Sequence, residues 1–317
     1  MGNVPSALSI VYVIAALLRT DPSVFRGLDW RLCLPVCAAG AALKAVTVWM
    51  SARAWCLWLE FYAQKRCSRK EAFRVYARAN MGKYLPGNVM HYVERNLFAG
   101  KLNLTQKQIA AASLSEVAGL VLAAFLTGML FGYAQVREVF SALAKKMPLL
   151  RRIQVHMTGS GDPGGNARFA GRILQIAGWG LVLAVLILLL CFIRHVYSRQ
   201  FRHTFFTVLA IYAAVLIILG VILVPVFWCL GQRPDLQKAM QMVSAYIIAW
   251  VFGFAVPGAP GGIGVREMAL TLLLTPVTGS GLVGVSGVLH RLVTIAGDVV
   301  VYLLWGRRAK TTSKQKV

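Results

Sequence analysis

The chain has 317 residues, of which 58% are hydrophobic and only 14% charged. Its mean hydropathy of +0.64 excludes an ordinary soluble domain and indicates an integral membrane protein. The net charge of +23 would suggest a nucleic-acid-binding protein if the chain were soluble. Here the lysines and arginines cluster in the connections between apolar segments, so we interpret them as charges that set topology against an anionic leaflet and expect no nucleic-acid partner.

Six apolar segments predict membrane helices, because each is long enough and poor enough in charge to enter a bilayer. Between the second and third lies a basic amphipathic stretch at residues 68–79, and Leu104-Thr105-Gln106 has the pattern of a helix start. In chain order the predicted helices are residues 4–19, 32–60, 106–134, 173–193, 204–230 and 281–306.

A related polar motif occurs twice, at residues 85–95 and 256–267. Each copy opens with an apolar residue and Pro-Gly, and each closes on valine followed by an adjacent arginine and glutamate, in opposite orders. Pro-Gly breaks a helix, and a charge in lipid is costly. Broken helices at corresponding positions of two halves indicate the binding site of a transporter.

The order of elements therefore predicts an all-α integral membrane fold of two inverted repeats. We expect about six transmembrane helices plus two re-entrant broken helices, and an alternative count gives eight transmembrane helices with parallel repeats. Both counts are even and place the termini on the same side, in the cytoplasm. The predicted parts are residues 1–134 (first repeat, with a hairpin at 68–104), 135–172 (polar connection), 173–306 (second repeat, with a hairpin at 235–274) and 307–317 (basic tail).

The breaks would free backbone N–H groups of half-helices that begin after Gly87 and Gly262, a suitable site for an anionic headgroup. Arginines could add bidentate contacts, and acids would balance them when the site is empty. A purely structural alternative pairs Glu94 with Arg95 and Arg266 with Glu267 in salt bridges that lock the hairpins. The candidate substrate-binding residues are Asn88, His91, Glu94, Arg95, Glu116, Gly261, Gly262, Arg266, Glu267 and Arg291.

The spacing also suggests pairing across the repeats, because Glu116 and Arg291 both fall near the start of the helix that follows a hairpin. Lys44 is expected to snorkel or to lie against a buried acid. His91 and His290 lack metal-ligand spacing and are expected to line a pore or to pack. No nucleotide, nucleophile or metal motif is found, so we expect no catalytic residue, no metal, no cofactor and no enzymatic activity.

At these motifs the chain resembles the flippase-like membrane domain related to that of lysylphosphatidylglycerol synthetases, as a stand-alone member without the synthase domain. The resemblance implies movement of lipids, or of lipid-linked sugars, between leaflets. The stretches that carry it are Arg53-Ala54-Trp55, Gly82-Lys83-Tyr84-Leu85-Pro86-Gly87 with Val93-Glu94-Arg95, and Pro257-Gly258-Ala259-Pro260-Gly261-Gly262-Ile263-Gly264-Val265-Arg266-Glu267.

The sequence thus predicts a lipid flippase or scramblase of the cytoplasmic (inner) membrane. Its substrate would be an anionic phospholipid or a polyprenyl-phosphate-linked lipid, and a homodimer or a partner from a glycan pathway is compatible with this. Two alternatives stay open: an integral membrane transferase that acts on a lipid phosphate, and a non-transporting partner of a membrane glycosyltransferase.

Overall fold

The structure, a computed structural model, describes residues 30–84, 90–98, 102–146, 198–255, 262, 264–278 and 280–307. All regular elements in these ranges are helical. The predicted helices at 4–19 and 173–193, the connection beyond residue 146 and the tail beyond residue 307 lie outside the described residues.

Nine α-helices are described, together with a 3-10 turn, Asn80–Tyr84, after the second and a π-helical turn, Tyr302–Gly306, after the last. The helices are α1 Trp30–Ala63, α2 Arg69–Ala79, α3 Met90–Leu97, α4 Gln106–Lys146, α5 Arg199–Val221, α6 Leu223–Cys229, α7 Leu236–Ala255, α8 Val265–Thr278 and α9 Ser280–Val301.

Local side-chain chemistry sets several helix starts. Before α4, Thr105 and Gln108 form a reciprocal capping box, in which each side chain accepts a hydrogen bond from the other residue's backbone N–H, at 3.3 and 3.0 Å. Before α2, the Ser68 hydroxyl accepts from the N–H of Glu71 at 3.4 Å. The helix start that the sequence predicts at Leu104-Thr105-Gln106 is confirmed.

Proline explains two departures from the predicted boundaries. Helix α4 runs to Lys146 instead of residue 134, because residues 135–146 contain neither proline nor glycine and the next breaker is Pro148. The predicted helix at 204–230 is divided at Ile222 into α5 and α6, because Pro225 has no N–H to donate to the carbonyl of Val221.

Four described helical stretches are long and apolar enough to cross a membrane: Trp30–Ala63, Gln106–Gly128, Arg199–Cys229 and Leu282–Gly306. By contrast, α2 and α3 have only 11 and 8 residues, well short of the ~20 that a membrane-crossing helix needs. The chain therefore has the character of an all-helical membrane protein, in which a broken segment stands between long apolar helices.

The broken segments fold back on themselves. Helix α2 packs on α3, and α7 packs on α8, which in turn contacts α9. The two halves of the sequence also meet, since α1 packs along α9. At this contact a Cβ atom on Gly297 would lie 2.7 Å from the carbonyl oxygen of Ala41 and from the side chain of Lys44. Glycine is required there because the two helix backbones approach too closely for any side chain.

By contacts the chain divides into two compact units. The first, Met1–Gly132 with Thr204–Val317, contains all the packing described above. The second, Tyr133–His203, contains the last part of α4 and the start of α5 among the described residues.

We predict opposite effects for the same substitution at two glycines of α9. Gly297→Ala should destabilise the protein by about 1–3 kcal/mol, because the new methyl group overlaps the α1 backbone. Gly284→Ala is the control, since nothing lies within 4 Å of its Cβ position, and it should be neutral or stabilising by up to about 1 kcal/mol. Thermal unfolding of the purified protein in mild detergent measures both, and equal shifts would contradict the close α1–α9 contact.

Candidate functional site

A cavity of about 160 Å³ lies among elements of both halves of the chain. This is roughly an order of magnitude more than the ~10–15 Å³ that one water molecule needs. Its wall is rich in polar and ionisable groups, which is unusual for the interior of a membrane protein. The charged lining residues are Lys44, Lys83, Arg95, Glu116, Arg266, Arg291 and Asp298, and the uncharged polar ones include Ser51, Tyr76, Asn80, Tyr84, His91, Tyr92, Tyr246 and Thr294.

One buried carboxylate, Asp298 of α9, organises the first side of the cavity. Its Oδ2 accepts hydrogen bonds from Lys83 Nζ and from the Tyr84 hydroxyl, both at 2.6 Å. Its Oδ1 accepts from Asn80 Nδ2 at 2.7 Å and lies 3.4 Å from Lys44 Nζ. The Asp298 side chain is fully buried, so these partners replace the water that an ionised carboxylate would otherwise need.

The second side of the cavity is built around Arg95 of α3, which is 1% exposed. Its guanidinium forms a salt bridge with Glu116 of α4, and Glu116 also accepts a hydrogen bond from the Tyr76 hydroxyl at 2.7 Å. The guanidinium lies over the ring of Tyr76, 4.0 Å from its centroid, and 5.2 Å from that of Tyr92. Aromatic faces and one carboxylate together hold this charge away from water.

The third side contains Arg291 and Glu267, whose Nη1 and Oε1 atoms are 2.8 Å apart. The other carboxylate oxygen of Glu267 accepts a hydrogen bond from the backbone N–H of Gly264 at 2.7 Å, just before α8 begins. The N-terminus of α8 therefore already has an anion of its own, supplied by Glu267. The backbone N–H of Gly264, one of the groups that the half-helix after Gly262 is expected to offer to a ligand, is thus already bonded.

Three lining residues have a buried hydrogen-bonding atom without a partner in the described part of the chain: Arg95, through its Nε, Arg266 and His91. Arg266 makes no salt bridge there, its Nε is unpaired, and its guanidinium lies 5.8 Å from the ring centroid of Tyr246. The Nδ1 atom of His91, a residue that is 9% exposed, is also unpaired. Arg266 and His91 are therefore available to a ligand in the cavity.

The structure brings five of the predicted site residues to the cavity wall: His91, Arg95, Glu116, Arg266 and Arg291. Glu267 is not among the lining residues, but it is the salt-bridge partner of Arg291, which is. Glu94 is 4% exposed, is not among the lining residues, and has no hydrogen-bond partner on either oxygen within the described ranges. Asn88 and Gly261 lie outside the described residues.

Gly262, a predicted substrate-binding residue, lies against the backbone of a neighbouring helix. Its φ of +73° suits glycine, and a Cβ atom there would lie 2.9 Å from the backbone of Gly253 in α7. Gly262 is therefore placed to let α7 and α8 approach each other, and it is not among the residues that line the cavity.

The predicted ion pairs are also corrected. Among the described side chains, Arg95 pairs with Glu116 instead of Glu94, and Glu267 pairs with Arg291 instead of Arg266. Adjacent residues on a helix point about 100° apart, so neighbours in sequence cannot readily share a salt bridge. Each of these two pairs lies within its own half of the chain. The pairing between halves that the spacing suggests is found at Asp298, which meets Lys44 and Lys83 of the first half.

Lys83 and Asp298 are not among the substrate-binding residues predicted from the sequence, although Asp298 is one of the acids expected to balance the arginines. A single aspartate within an otherwise apolar helix is a signal that could have found this cluster, because such a group requires a cationic partner. Lys44 meets Asp298, as its position in an apolar helix indicated. His290 packs, with Nε2 2.9 Å from the carbonyl oxygen of Leu219.

No family model matches this chain, and no curated protein matches it. The functional argument below therefore depends on the cavity and its charges, with the sequence resemblance as an expectation beside it.

We predict that Asp298→Ala strongly destabilises the protein, by about 3–5 kcal/mol, because it leaves Lys44 and Lys83 without their shared carboxylate. The control is Asp235→Ala, which removes an exposed carboxylate that accepts from the N–H of Lys238 at the start of α7. That change should cost about 1 kcal/mol, the usual value of a helix cap. Thermal unfolding in detergent separates the two, and similar losses would show that the Asp298 cluster is not a structural centre.

Proposed function

We propose that this protein is a membrane lipid transporter, a flippase or scramblase, that moves lipids with anionic headgroups between leaflets. The observation that carries the proposal is the polar cavity among helices long enough to cross a membrane. Such a site is costly to maintain in a membrane protein, and ionisable groups there usually serve a substrate pathway. A partly open, charged space of this size fits the headgroup of a lipid whose acyl chains stay in the bilayer.

The charges favour an anionic substrate. The lining residues include three arginines and two lysines but only two carboxylates, Glu116 and Asp298. Arginine and lysine side chains bind phosphate oxygens through charge-assisted hydrogen bonds. The paired acids keep most of the cations compensated when no substrate is bound, so that the empty site is not excessively unstable.

We further propose the inverted-repeat plan, with the segments of α2–α3 and α7–α8 re-entering the membrane, as the structural basis of transport. Each fold-back segment is tied by a salt bridge to the helix that follows it, Arg95 to Glu116 and Glu267 to Arg291, which supports a relation between the halves. Rocking of one half against the other would expose the cavity to each leaflet in turn. We place the protein in the cytoplasmic membrane with cytoplasmic termini, as a relative of the flippase-like domain.

The test is lipid movement in proteoliposomes, measured by the accessibility of headgroup-labelled or chain-labelled fluorescent lipids to a membrane-impermeant quencher. Vesicles that contain the full chain should move anionic lipids faster than phosphatidylcholine and faster than protein-free vesicles. No acceleration for phosphatidic acid, phosphatidylglycerol or a polyprenyl phosphate would overturn the proposal.

Within this assay we predict that Arg266→Gln slows the movement of anionic lipids about tenfold, the effect of losing one charged contact worth ~1.4 kcal/mol. Because Arg266 makes no salt bridge within the described part, the variant should unfold at nearly the wild-type temperature. Lys238→Gln is the matched control, since it removes the same charge at an exposed position outside the cavity. Normal transport by a folded Arg266→Gln protein would remove this residue from the mechanism.

A further inference from the structure

The formal charges on the cavity wall do not cancel. Arg95 and Arg291 each have a carboxylate of their own, as described above. Lys44 and Lys83, however, share the single carboxylate of Asp298. Arg266 has no carboxylate within salt-bridge distance among the described residues. The described wall therefore carries two surplus positive charges, one from the lysine pair and one from Arg266.

The number of surplus charges distinguishes between phosphate headgroups. A phosphate monoester carries about 1.5 to 2 negative charges at neutral pH and offers three terminal oxygens. A phosphodiester such as the headgroup of phosphatidylglycerol carries one negative charge and offers two free oxygens. In a site with little water, the monoester neutralises both surplus cations, whereas the diester leaves one of them uncompensated.

The donors around the surplus charges also suit a terminal phosphate. Lys83 has three N–H donors, and its Nζ makes contacts with Asp298 and, at 3.3 Å, with Asn80 Oδ1. The Arg266 guanidinium is half-buried at the wall with its Nε unpaired, and His91 presents an unpaired Nδ1. Three separate elements therefore present groups to the same cavity, and a phosphate with three terminal oxygens has more acceptors for the donors among them than a diester has.

We infer that the cavity selects a doubly charged phosphate, of which a phosphate monoester is the simplest form, over a phosphodiester, and that Lys83 and Arg266 provide the selectivity. This inference rests on the proposed function in one respect: it assumes that the phosphate is the headgroup of a lipid. A soluble phosphate has the same chemistry, so the experiment includes both sources.

The experiment measures binding, so that it does not depend on transport. The purified full chain is equilibrated in detergent with equal amounts of dioleoyl phosphatidic acid and dioleoyl phosphatidylglycerol, and bound lipid is counted by native mass spectrometry. These lipids share acyl chains and differ in the phosphate. We expect phosphatidic acid to be retained at least about tenfold more, the equivalent of one additional charged contact. Glycerol 3-phosphate in the buffer, the soluble monoester, should displace it only weakly.

The variants assign the selectivity to the two cations. In Lys83→Gln, Lys44 remains beside Asp298, and the glutamine amide can still donate a hydrogen bond to the Asp298 carboxylate. This variant should reduce the ratio of retained phosphatidic acid to retained phosphatidylglycerol to near one. Arg266→Gln, which breaks no salt bridge of the described part, should also reduce it and serves if Lys83→Gln does not fold. Lys238→Gln should leave the preference unchanged, because this lysine is exposed and outside the cavity.

The outcomes separate this inference from the proposed function. Equal retention of the two lipids by the wild-type chain overturns the inference, even if the protein moves lipids in vesicles. Unchanged preference in both folded cavity variants also overturns it. Selective retention of phosphatidic acid supports the inference even if the protein moves no lipid. The absence of lipid movement would then count against the transport proposal alone. Complete displacement by glycerol 3-phosphate would overturn the lipid form and assign the site to a soluble phosphate.

Discussion

The interaction on which the rest of this structure depends is the burial of one aspartate in an apolar helix. An ionised carboxylate without water is unstable by several kcal/mol unless hydrogen-bond donors and cations surround it. Asp298 obtains these from α1 and from the 3-10 turn Asn80–Tyr84, elements of the other half of the chain. The close α1–α9 contact at Gly297 makes this convergence possible, since a side chain at that position would separate the helices. The carboxylate therefore connects the two halves and also places the turn that leads out of α2.

Two further ion pairs act within the halves. Arg95 joins α3 to α4 through Glu116, and Glu267 joins the start of α8 to α9 through Arg291, with the signs of the charges reversed. Each pair ties a broken segment to the helix that follows it. The first is buried among aromatic rings, whereas the side chains of the second are 17% and 21% exposed, so water screens the second pair more. Between the halves, by contrast, α1 packs closely along α9 and the Asp298 cluster adds buried polar contacts, so helix packing and charge both join them.

The cavity lies among these same contacts. Its wall includes side chains of all three clusters, and Arg266 and His91 present hydrogen-bonding atoms that have no partner among the described residues. The acids pair with most of the cations without matching all of them, and this partial compensation is the basis of the proposed preference for anions. If every cation had a carboxylate, the cavity would have no electrostatic reason to bind a phosphate; if none had one, the empty protein would be strongly destabilised.

The sequence alone determined the features that depend on local chemistry. Long apolar runs predict the four membrane-length helices of the described residues, Pro225 explains the break between α5 and α6, and Thr105 with Gln108 determines where α4 begins. Each effect acts within one or two turns of helix. The partners of the buried charges could not be determined in this way. Lys83 and Asp298 are 215 positions apart in the sequence. Arg95 forms its salt bridge with Glu116 and not with its neighbour Glu94, because adjacent side chains on a helix point in different directions. Only the tertiary structure decides which charges share a low-dielectric space, since that choice depends on how helices pack and not on their order along the chain.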